Sequence, residues 1–328
     1  MFNKFSVEYG SHVMDSFEFE SGRVLENVNV EYTVSGIPKY DDEGNIVNAV
    51  IYCPTLKGGY SILAQYHDLI KGSALDKNEY CFIRIFSLGT PGSCSPSSTG
   101  LKYNFPQYTF KDRVNFKRQF LAEKFNIKSV FGLIGEGLGG AEVLTWACEY
   151  PDDMEFIILL NTSFKTYGYR YIFAKCAESI IDSTDDFYSD EYSVSLSNAV
   201  VAINQLMFSG YFSQKIFNSL TTDELDVLMD DYVDEGLFMD IHDFKFRNDC
   251  IFQYDVEDKL QDIKAKSLIL GINGYLFYNP ETEFDKFNDS IENSKVAIFY
   301  HDESYYEKPD YNDVVVEIIS FLEQFKKS

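Results

Sequence analysis

A glycine-rich segment in the middle of the chain has the spacing of a catalytic turn. Residues 135–140 read GEGLGG, follow an apolar run from Val130 to Ile134, and precede a helical pattern. A strand, a tight turn bounded by glycines and a helix form the context in which the motif G-x-S-x-G presents a nucleophilic serine. This segment has no serine. We predict that Glu136 lies at the tip of the turn, so that a carboxylate replaces the hydroxyl.

The same glycines also fit the G-x-G-x-x-G spacing of a dinucleotide-binding turn, through Gly135, Gly137 and Gly140. In that fingerprint an acidic residue follows about 20 residues further on, at the end of the next strand. Here several apolar runs precede the turn, and the next run ends at Leu160 and is followed by Asn161. We therefore predict no nicotinamide or flavin cofactor, and the sequence indicates no other cofactor.

The chain contains four histidines, and one of them is placed to act with Glu136. His301 follows the last apolar run of the chain, and we expect its imidazole to lie beside the Glu136 carboxylate. Such a pair could activate a water molecule by general acid–base chemistry. His242 has Asp240 and Asp243 close by in the sequence, but their spacing does not fit a zinc site, so we predict no metal and expect His242 on the surface.

These residues must be positioned by a sheet, because short apolar runs recur along the chain. The runs are residues 49–53, 80–86, 130–134, 156–160, 267–270 and 296–300. Continuous apolar strands of this length are typical of a mostly parallel sheet that helices cover on both faces. Alternating residues 16–20 and 28–33 predict an antiparallel hairpin at its edge. Helical patterns at residues 111–125, 139–150 and 313–325 complete an α/β arrangement.

Residues 164–261 interrupt the alternation of strands and helices. They show several helical patterns, and an acidic one that begins at Thr221 has Glu224 in the place of a capping box. Apolar strands resume at Ser267. A helical insertion between two strands of a sheet predicts a lid, so we divide the chain into a core of residues 1–163 and 262–328 and a lid of residues 164–261.

The composition excludes several classes of partner. The chain has 28 Lys and Arg against 52 Asp and Glu, for a formal net charge of −24, which argues against nucleic acid and anionic membranes. Six cysteines are scattered without C-x-x-C spacing and are expected to be reduced and buried. No signal-peptide pattern or apolar run of about 20 residues is present. We expect a cytoplasmic protein.

Several further segments, together with the turn, resemble the homoserine O-acyltransferases. They are CPTLKG at residues 53–58, ALDKNEY at 74–80, GSCSPSS at 92–98 and the FP…TFKDRV segment at 105–114. The similarity covers most of residues 25–163 and residues 262–325, and it is weak in the lid. The resemblance implies an α/β-hydrolase fold and the transfer of an acyl group from acyl-CoA to homoserine through a serine.

The resemblance also implies where the catalytic groups of the family would lie. The nucleophilic serine corresponds to Glu136, the triad aspartate corresponds to Gly274, and the triad histidine corresponds to His301. One position of the three is retained. The oxyanion hole would be formed by the backbone amides of Leu56 and Gly137, which a side-chain substitution does not remove.

Loss of the nucleophile ends covalent acyl transfer by this route, so we expect a binding or partner protein. In one alternative, Glu136 and His301 act on an ester or acyl-CoA substrate, as aspartate nucleophiles do in dehalogenases and epoxide hydrolases. In another, a serine of the 92–98 loop is the nucleophile; that loop could also bind an anion or be a structural turn. Glu136 could instead only stabilise the helix N-terminus. The family tends to dimerise through the lid, which implies a homodimer or hetero-oligomer.

Overall fold

The computed structural model describes residues 7–54, 79–189, 191, 193–210, 214–274, 276–278, 280–300 and 312–325. The strands are β1 (Glu8–Glu18), β2 (Val24–Gly36), β3 (Ala49–Cys53), β4 (Cys81–Ile85), β5 (Val130–Glu136), β6 (Met154–Leu160), β7 (Lys266–Asn273) and β8 (Ser294–Tyr300). Within the described residues they form one eight-stranded sheet in the order β1-β2-β4-β3-β5-β6-β7-β8. The pairs β1–β2 and β2–β4 are antiparallel, and the pairs from β4–β3 to β7–β8 are parallel. The mostly parallel sheet and its edge hairpin are confirmed.

The helices are α1 (Phe110–Phe125), α2 (Leu138–Glu149), α3 (Gly168–Asp182), α4 (Val194–Phe208), α5 (Gln214–Ser219), α6 (Thr222–Leu237), α7 (Ile241–Phe252), α8 (Pro280–Ser290) and α9 (Asn312–Glu323). Helices α1, α2 and α9 confirm the three helical patterns outside the lid. Within the described part of the chain, no helix has the length and apolar character that a membrane span requires.

Both faces of the sheet are covered. Successive side chains of a strand point to opposite faces, so Leu133 and Ile134 of β5 belong to different clusters of buried residues. Leu133 shares its cluster with Phe116 of α1 and Trp146 of α2. Ile134 shares its cluster with Ile318 of α9. The layers therefore place α1 and α2 on one face of the sheet and α9 on the other, and β5 lies between them.

Helix α1 begins with a reciprocal cap. The Thr109 hydroxyl accepts a hydrogen bond from the Asp112 amide (3.1 Å), and the Asp112 carboxylate accepts one from the Thr109 amide (2.9 Å). The helix ends at Asn126, whose φ of 53° lies in the left-handed region that asparagine tolerates. The cap therefore fixes the start of α1, which packs against α2.

Helices α3 to α7 lie between β6 and β7 in the chain. The capping box predicted for α6 is confirmed, because the Thr221 amide donates to the Glu224 carboxylate at 2.8 Å and the Glu224 amide donates to the Thr221 hydroxyl at 3.3 Å. Several of these helices share one apolar cluster, which includes Ala177, Leu196, Val200, Ile203 and Phe244. The division into a core and a lid stays a prediction.

Candidate functional site

The turn after β5 has its tip at Gly137. Strand β5 ends at Glu136 and α2 begins at Leu138, and Gly137 between them has φ 55° and ψ −118°. This positive φ is a conformation that glycine adopts without strain. The prediction that Glu136 lies at the tip is therefore wrong by one residue. Gly137 is also the central residue of the G-x-S-x-G spacing in this segment, so the position of the nucleophile has no side chain.

The glycines around the tip allow the turn to pack against its neighbours. A Cβ on Gly139 would lie 1.9 Å from the Cys53 carbonyl oxygen at the end of β3. A Cβ on Gly140 would lie 2.5 Å from the side chain of Thr162. The Thr162 hydroxyl in turn donates to the Gly137 carbonyl at 2.8 Å. The turn is thus fixed by backbone contacts on the β3 side and by a hydrogen bond on the β6 side.

The contact at Gly139 predicts that Gly139→Ala is strongly destabilising. The added methyl group would collide with backbone atoms of β3, which cannot rotate away as a side chain could. We expect the free energy of unfolding to fall by about 2–3 kcal/mol in urea denaturation, the upper part of the range for overpacking. Asn198→Ala on the exposed surface of α4 is the control for alanine in a helix. A stability equal to that of the control would show that the turn and β3 do not touch as described.

Glu136 itself is half-buried at the carboxyl end of β5. The Tyr52 hydroxyl lies 3.5 Å from Glu136 Oε2, with the hydroxyl as the donor. Tyr52 is paired with Ile134 across the β3–β5 ladder, which places Glu136 on the face of the sheet that α9 covers. Burial raises the pKa of Tyr278 to about 12, and the negative charge of Glu136 acts in the same direction. Glu136 therefore lies next to the Tyr52 hydroxyl, and its charge acts on Tyr278.

The predicted oxyanion hole needs a correction. The Gly137 amide donates to the Leu160 carbonyl oxygen at 3.0 Å, as part of the pairing of β5 with β6. It is engaged in the sheet, so the prediction that it stabilises an oxyanion is wrong. With Gly137 at the tip, the amide after the nucleophile position belongs to Leu138, in the first turn of α2. Leu56, the other predicted donor, lies outside the described residues.

The other two positions that the resemblance assigns to a triad follow β7 and β8 in the chain. His301 directly follows β8 in the chain but lies outside the described residues. Gly274 follows β7 and has a φ of 109°. A carboxylate that no sequence pattern indicated lies here: Glu281 Oε1 is 3.2 Å from Asn273 Nδ2 and 3.3 Å from the Tyr300 hydroxyl. Both groups donate to it, so Glu281 joins the ends of the two strands.

The backbone at Gly274 predicts that the aspartate of the family cannot simply be restored. A residue with a Cβ is strained at a φ of 109°. We expect Gly274→Asp to lower the free energy of unfolding by about 1–3 kcal/mol in chemical denaturation. Gly274→Ala should lose a similar amount, because the strain comes from the Cβ and not from the carboxylate. A Gly274→Asp variant as stable as the wild type would contradict this description of the loop.

The serines of the 92–98 loop are engaged in structural hydrogen bonds. The Ser97 amide (2.8 Å) and hydroxyl (2.5 Å) both donate to the buried carboxylate of Asp243 on α7. Ser95 is fully buried, and Ser93 donates to the Asn29 carbonyl at 3.2 Å. The contacts favour a structural turn over a nucleophile, and they join the loop to the lid.

His242 is not on the surface, so that prediction is wrong. Its side chain is buried, and Nε2 lies 2.9 Å from the carbonyl oxygen of Phe187. Asp243 beside it is buried as well, and its carboxylate accepts a hydrogen bond from the Ser97 hydroxyl. The first turn of α7 thus contacts Phe187 in the predicted lid and Ser97 in the predicted core. Within the described ranges, no group of three or more His, Cys, Asp and Glu side chains is arranged to hold a metal ion.

A buried ionic cluster lies behind the turn, and sequence analysis missed it. Glu142 of α2 pairs with Lys117 and with Arg113 of α1, and the three side chains are 1%, 0% and 6% exposed. Lys117 also donates to the Ser87 hydroxyl at 2.7 Å. Burial alone would raise the pKa of Glu142, but the two cations outweigh it and hold this pKa below its ordinary value. The cluster ties α1 to the helix that begins at the turn.

The chain is similar to known acyltransferases over most of its length. It is 36% identical over 310 residues to a probable acyltransferase of Methanothermobacter thermautotrophicus, covering 93% of this chain and 96% of that protein. It is 26% identical over 312 residues to the homoserine O-acetyltransferase of Methanosalsum zhilinae, covering 82% of this chain and 62% of that protein. The chain belongs to the homoserine O-acyltransferase family. The resemblance seen in the sequence is confirmed, although no protein-family model matches the chain.

Solved structures confirm the fold of this homoserine O-acyltransferase family member. The homoserine O-acetyltransferase of Bacillus anthracis superposes with a TM-score of 0.79 at 17% identity, covering 96% of this chain and 97% of that one. The acetylester hydrolase of Corynebacterium glutamicum superposes with a TM-score of 0.78 at 19% identity, covering 97% and 95%. The α/β-hydrolase fold is therefore established.

Proposed function

We propose that this member of the homoserine O-acyltransferase family binds a small-molecule ligand at the carboxyl edge of its sheet and does not transfer acyl groups through a covalent intermediate. Gly137 is the observation that carries the proposal. The residue at the tip of the turn has no side chain, so no group is available there to attack an acyl carbon. Ligands of open α/β sheets bind at this edge, which supports binding as the retained role.

Two further observations support the loss of the serine mechanism. Gly274 has a φ of 109°, and the sequence resemblance assigns it to the position of the triad acid, which normally orients the histidine. The serines of the 92–98 loop are engaged with Asp243 and with backbone carbonyls, as described above. A replacement nucleophile is therefore not supported among these serines.

A second candidate function is hydrolysis or acyl transfer by Glu136 acting with His301. One observation favours it: the Glu136 carboxylate lies one residue before the tip and next to the Tyr52 hydroxyl. A carboxylate at this place could act as a general base on water. The binding proposal and this alternative make opposite predictions for the variant Glu136→Gln.

The test is a steady-state assay of the wild type and Glu136→Gln with acetyl-CoA plus homoserine and with p-nitrophenyl acetate. We expect the same background rate for both proteins, with binding of some members of the panel detected by calorimetry. Turnover in the wild type that is lost in Glu136→Gln would overturn the proposal in favour of the enzyme. Glu281→Gln is the matched control, because it removes an exposed carboxylate from the same edge of the sheet.

We also propose self-association or hetero-oligomer formation through the lid. Large apolar side chains are exposed there: Phe238 is 90%, Val227 is 63% and Ile172 is 58% exposed. Analytical ultracentrifugation of the wild type and Phe238→Ser would test this, and a wild-type monomer at all concentrations would argue against a homodimer.

A cytoplasmic location is proposed as well, because all six cysteines are free thiols, which is typical of reducing compartments.

A further inference from the structure

The segment that follows β7 is attached to helices of the predicted lid. Residues 276–278 lie between β7 and α8, and they belong to the predicted core. The Phe277 ring nevertheless packs against Tyr169 and Phe173 of α3, with ring centroids 5.5 and 5.3 Å away. An aromatic side chain of the core segment is therefore inserted among side chains of the lid.

Gly210, which follows α4, provides the space that the Phe277 ring occupies. A Cβ at position 210 would collide with that ring. The Gly210 carbonyl oxygen also accepts a hydrogen bond from the Leu276 amide at 3.3 Å. The φ of Gly210 is not positive, so an alanine fits the backbone there and would disturb only the packing of the ring.

Arg170 of α3 adds a polar contact to the same segment. Its guanidinium donates a hydrogen bond to the Phe277 carbonyl oxygen and pairs with Glu283 of α8 at 3.0 Å. The side chains of Arg170 and Glu283 are only 12% and 3% exposed. Separating a buried ion pair is costly because it leaves each charge without its partner. Arg170 thus joins α3 both to the segment and to the helix that follows it.

Tyr278 connects these contacts with the end of β5. Its ring lies 5.1 Å from the Arg170 guanidinium, and the negative charge of Glu136 contributes to the raised pKa of its hydroxyl. Phe277 is its neighbour in the chain. A movement of Phe277 out of the lid would therefore also move Tyr278 relative to Glu136.

We propose that these contacts form a clamp that couples the predicted lid to the carboxyl edge of the sheet. The clamp consists of Phe277 and Glu283 on the core side and of Arg170 and Gly210 on the lid side. Because packed elements move between discrete arrangements, opening of α3 and α4 carries residues 276–278 with it. The coupling is reciprocal, so a change at residues 276–278 also changes the lid. It is a property of the fold and does not depend on the proposed binding function.

Hydrogen exchange measured by mass spectrometry tests the clamp in the wild type and in Gly210→Ala. The added methyl group should displace the Phe277 ring. We expect amide exchange to become at least about tenfold faster both in α3 and at residues 276–278. Strands β5 and β6 should keep their exchange rates, because their pairing does not involve the clamp. Asn198→Ala on the exposed surface of α4 is the matched control and should change neither segment.

Three results of this experiment would overturn the clamp. Exchange could become faster in only one of the two segments, which would show that they open separately. It could stay unchanged in both, which would show that Gly210 does not hold the ring. It could also rise equally throughout the protein, β5 and β6 included, which would show that the lid and the segment do not open as a unit.

Phe277→Ala releases the clamp from the core side and serves alone if Gly210→Ala does not fold. It removes the ring instead of displacing it, and exchange in α3 should again become at least about tenfold faster. Unchanged exchange in α3 would overturn the coupling. In the double variant, the alanine at position 210 no longer meets a ring, so we expect no increase beyond that of Phe277→Ala. Additive increases would show that residues 210 and 277 do not touch, which contradicts the clamp.

Discussion

Replacing Glu142 with leucine is expected to lower the free energy of unfolding by about 3–5 kcal/mol, the cost of leaving buried charges without their partner. Glu142 is the carboxylate that pairs with both Arg113 and Lys117, and all three side chains are almost completely buried. Equilibrium unfolding in urea measures the loss. Glu123→Leu on α1 is the control, since Glu123 is 40% exposed and its contact with His12 should contribute less than about 1 kcal/mol. Equal losses in the two variants would show that the buried cluster is not formed.

The Glu142 carboxylate also predicts how the stability of the protein depends on pH. The pKa of Glu142 is lowered in the folded protein from its ordinary value of 4.5. A carboxyl group whose pKa is lower in the folded protein than in the unfolded protein stabilises the fold. This stabilisation is complete above the pKa of the unfolded protein, and it is lost as the pH falls through the pKa of the folded protein. We therefore expect the stability of the wild type to fall below pH 4.5 more steeply than that of Glu142→Leu. If the free energies of unfolding of the two proteins depended equally on pH, the lowered pKa of Glu142 would be contradicted.

Replacing Gly137 with serine is expected to create slow acylation that the wild type lacks. The backbone at position 137, with φ 55° and ψ −118°, would present a hydroxyl at the tip, and the Leu138 amide lies next to it in the helix. If glycine replaces the triad acid at position 274, as the resemblance implies, the rate should remain about 10⁴-fold below that of a complete triad. Intact-protein mass spectrometry after incubation with p-nitrophenyl acetate detects one added acetyl group.

Gly137→Ala is the matched control for this variant, because it has the same backbone strain and no hydroxyl. We expect it to acquire no acetyl group and to lose about 1–3 kcal/mol of stability, as Gly137→Ser should. If both variants were acetylated to the same extent, the acetyl group would lie elsewhere. That result would show that position 137 does not face the site.

The layered fold could be predicted because its signals are local. Strands buried on both faces appear as continuous apolar runs, so residues 130–134 and 156–160 correspond to β5 and β6. The cap at Thr221 depends on Glu224, only three positions away, which the sequence displays directly. The strands and this cap could therefore be predicted from neighbours along the chain.

The residue at the tip of the turn could be predicted only by comparing the backbone strain of Glu136 and of Gly137 at a positive φ. In GEGLGG, glycines flank Glu136 on both sides, and the single charged residue suggested a catalytic role. Steric strain selects glycine for a positive φ, so the conformation falls at Gly137. The glycine at position 137 in the sequence therefore indicates the tip one residue after Glu136.

The buried polar groups could not be predicted, because their partners are distant in sequence. Glu142 meets Arg113 and Lys117 from another helix, and Asp243 meets Ser97 from a loop 146 positions away. Charged residues are normally read as exposed, since their burial requires pairing that a sequence pattern does not show. His242 was misplaced for the same reason.

The proposal that the turn holds no covalent nucleophile is tested most directly by peptide mapping of the wild type. The protein is incubated with p-nitrophenyl acetate and, separately, with acetyl-CoA, quenched in acid and digested, and the peptide that contains residues 130–149 is analysed by mass spectrometry. We predict that this peptide is unmodified at all times. An acetyl group on Glu136, at close to one per chain, would contradict this proposal and show that covalent catalysis takes place at this turn.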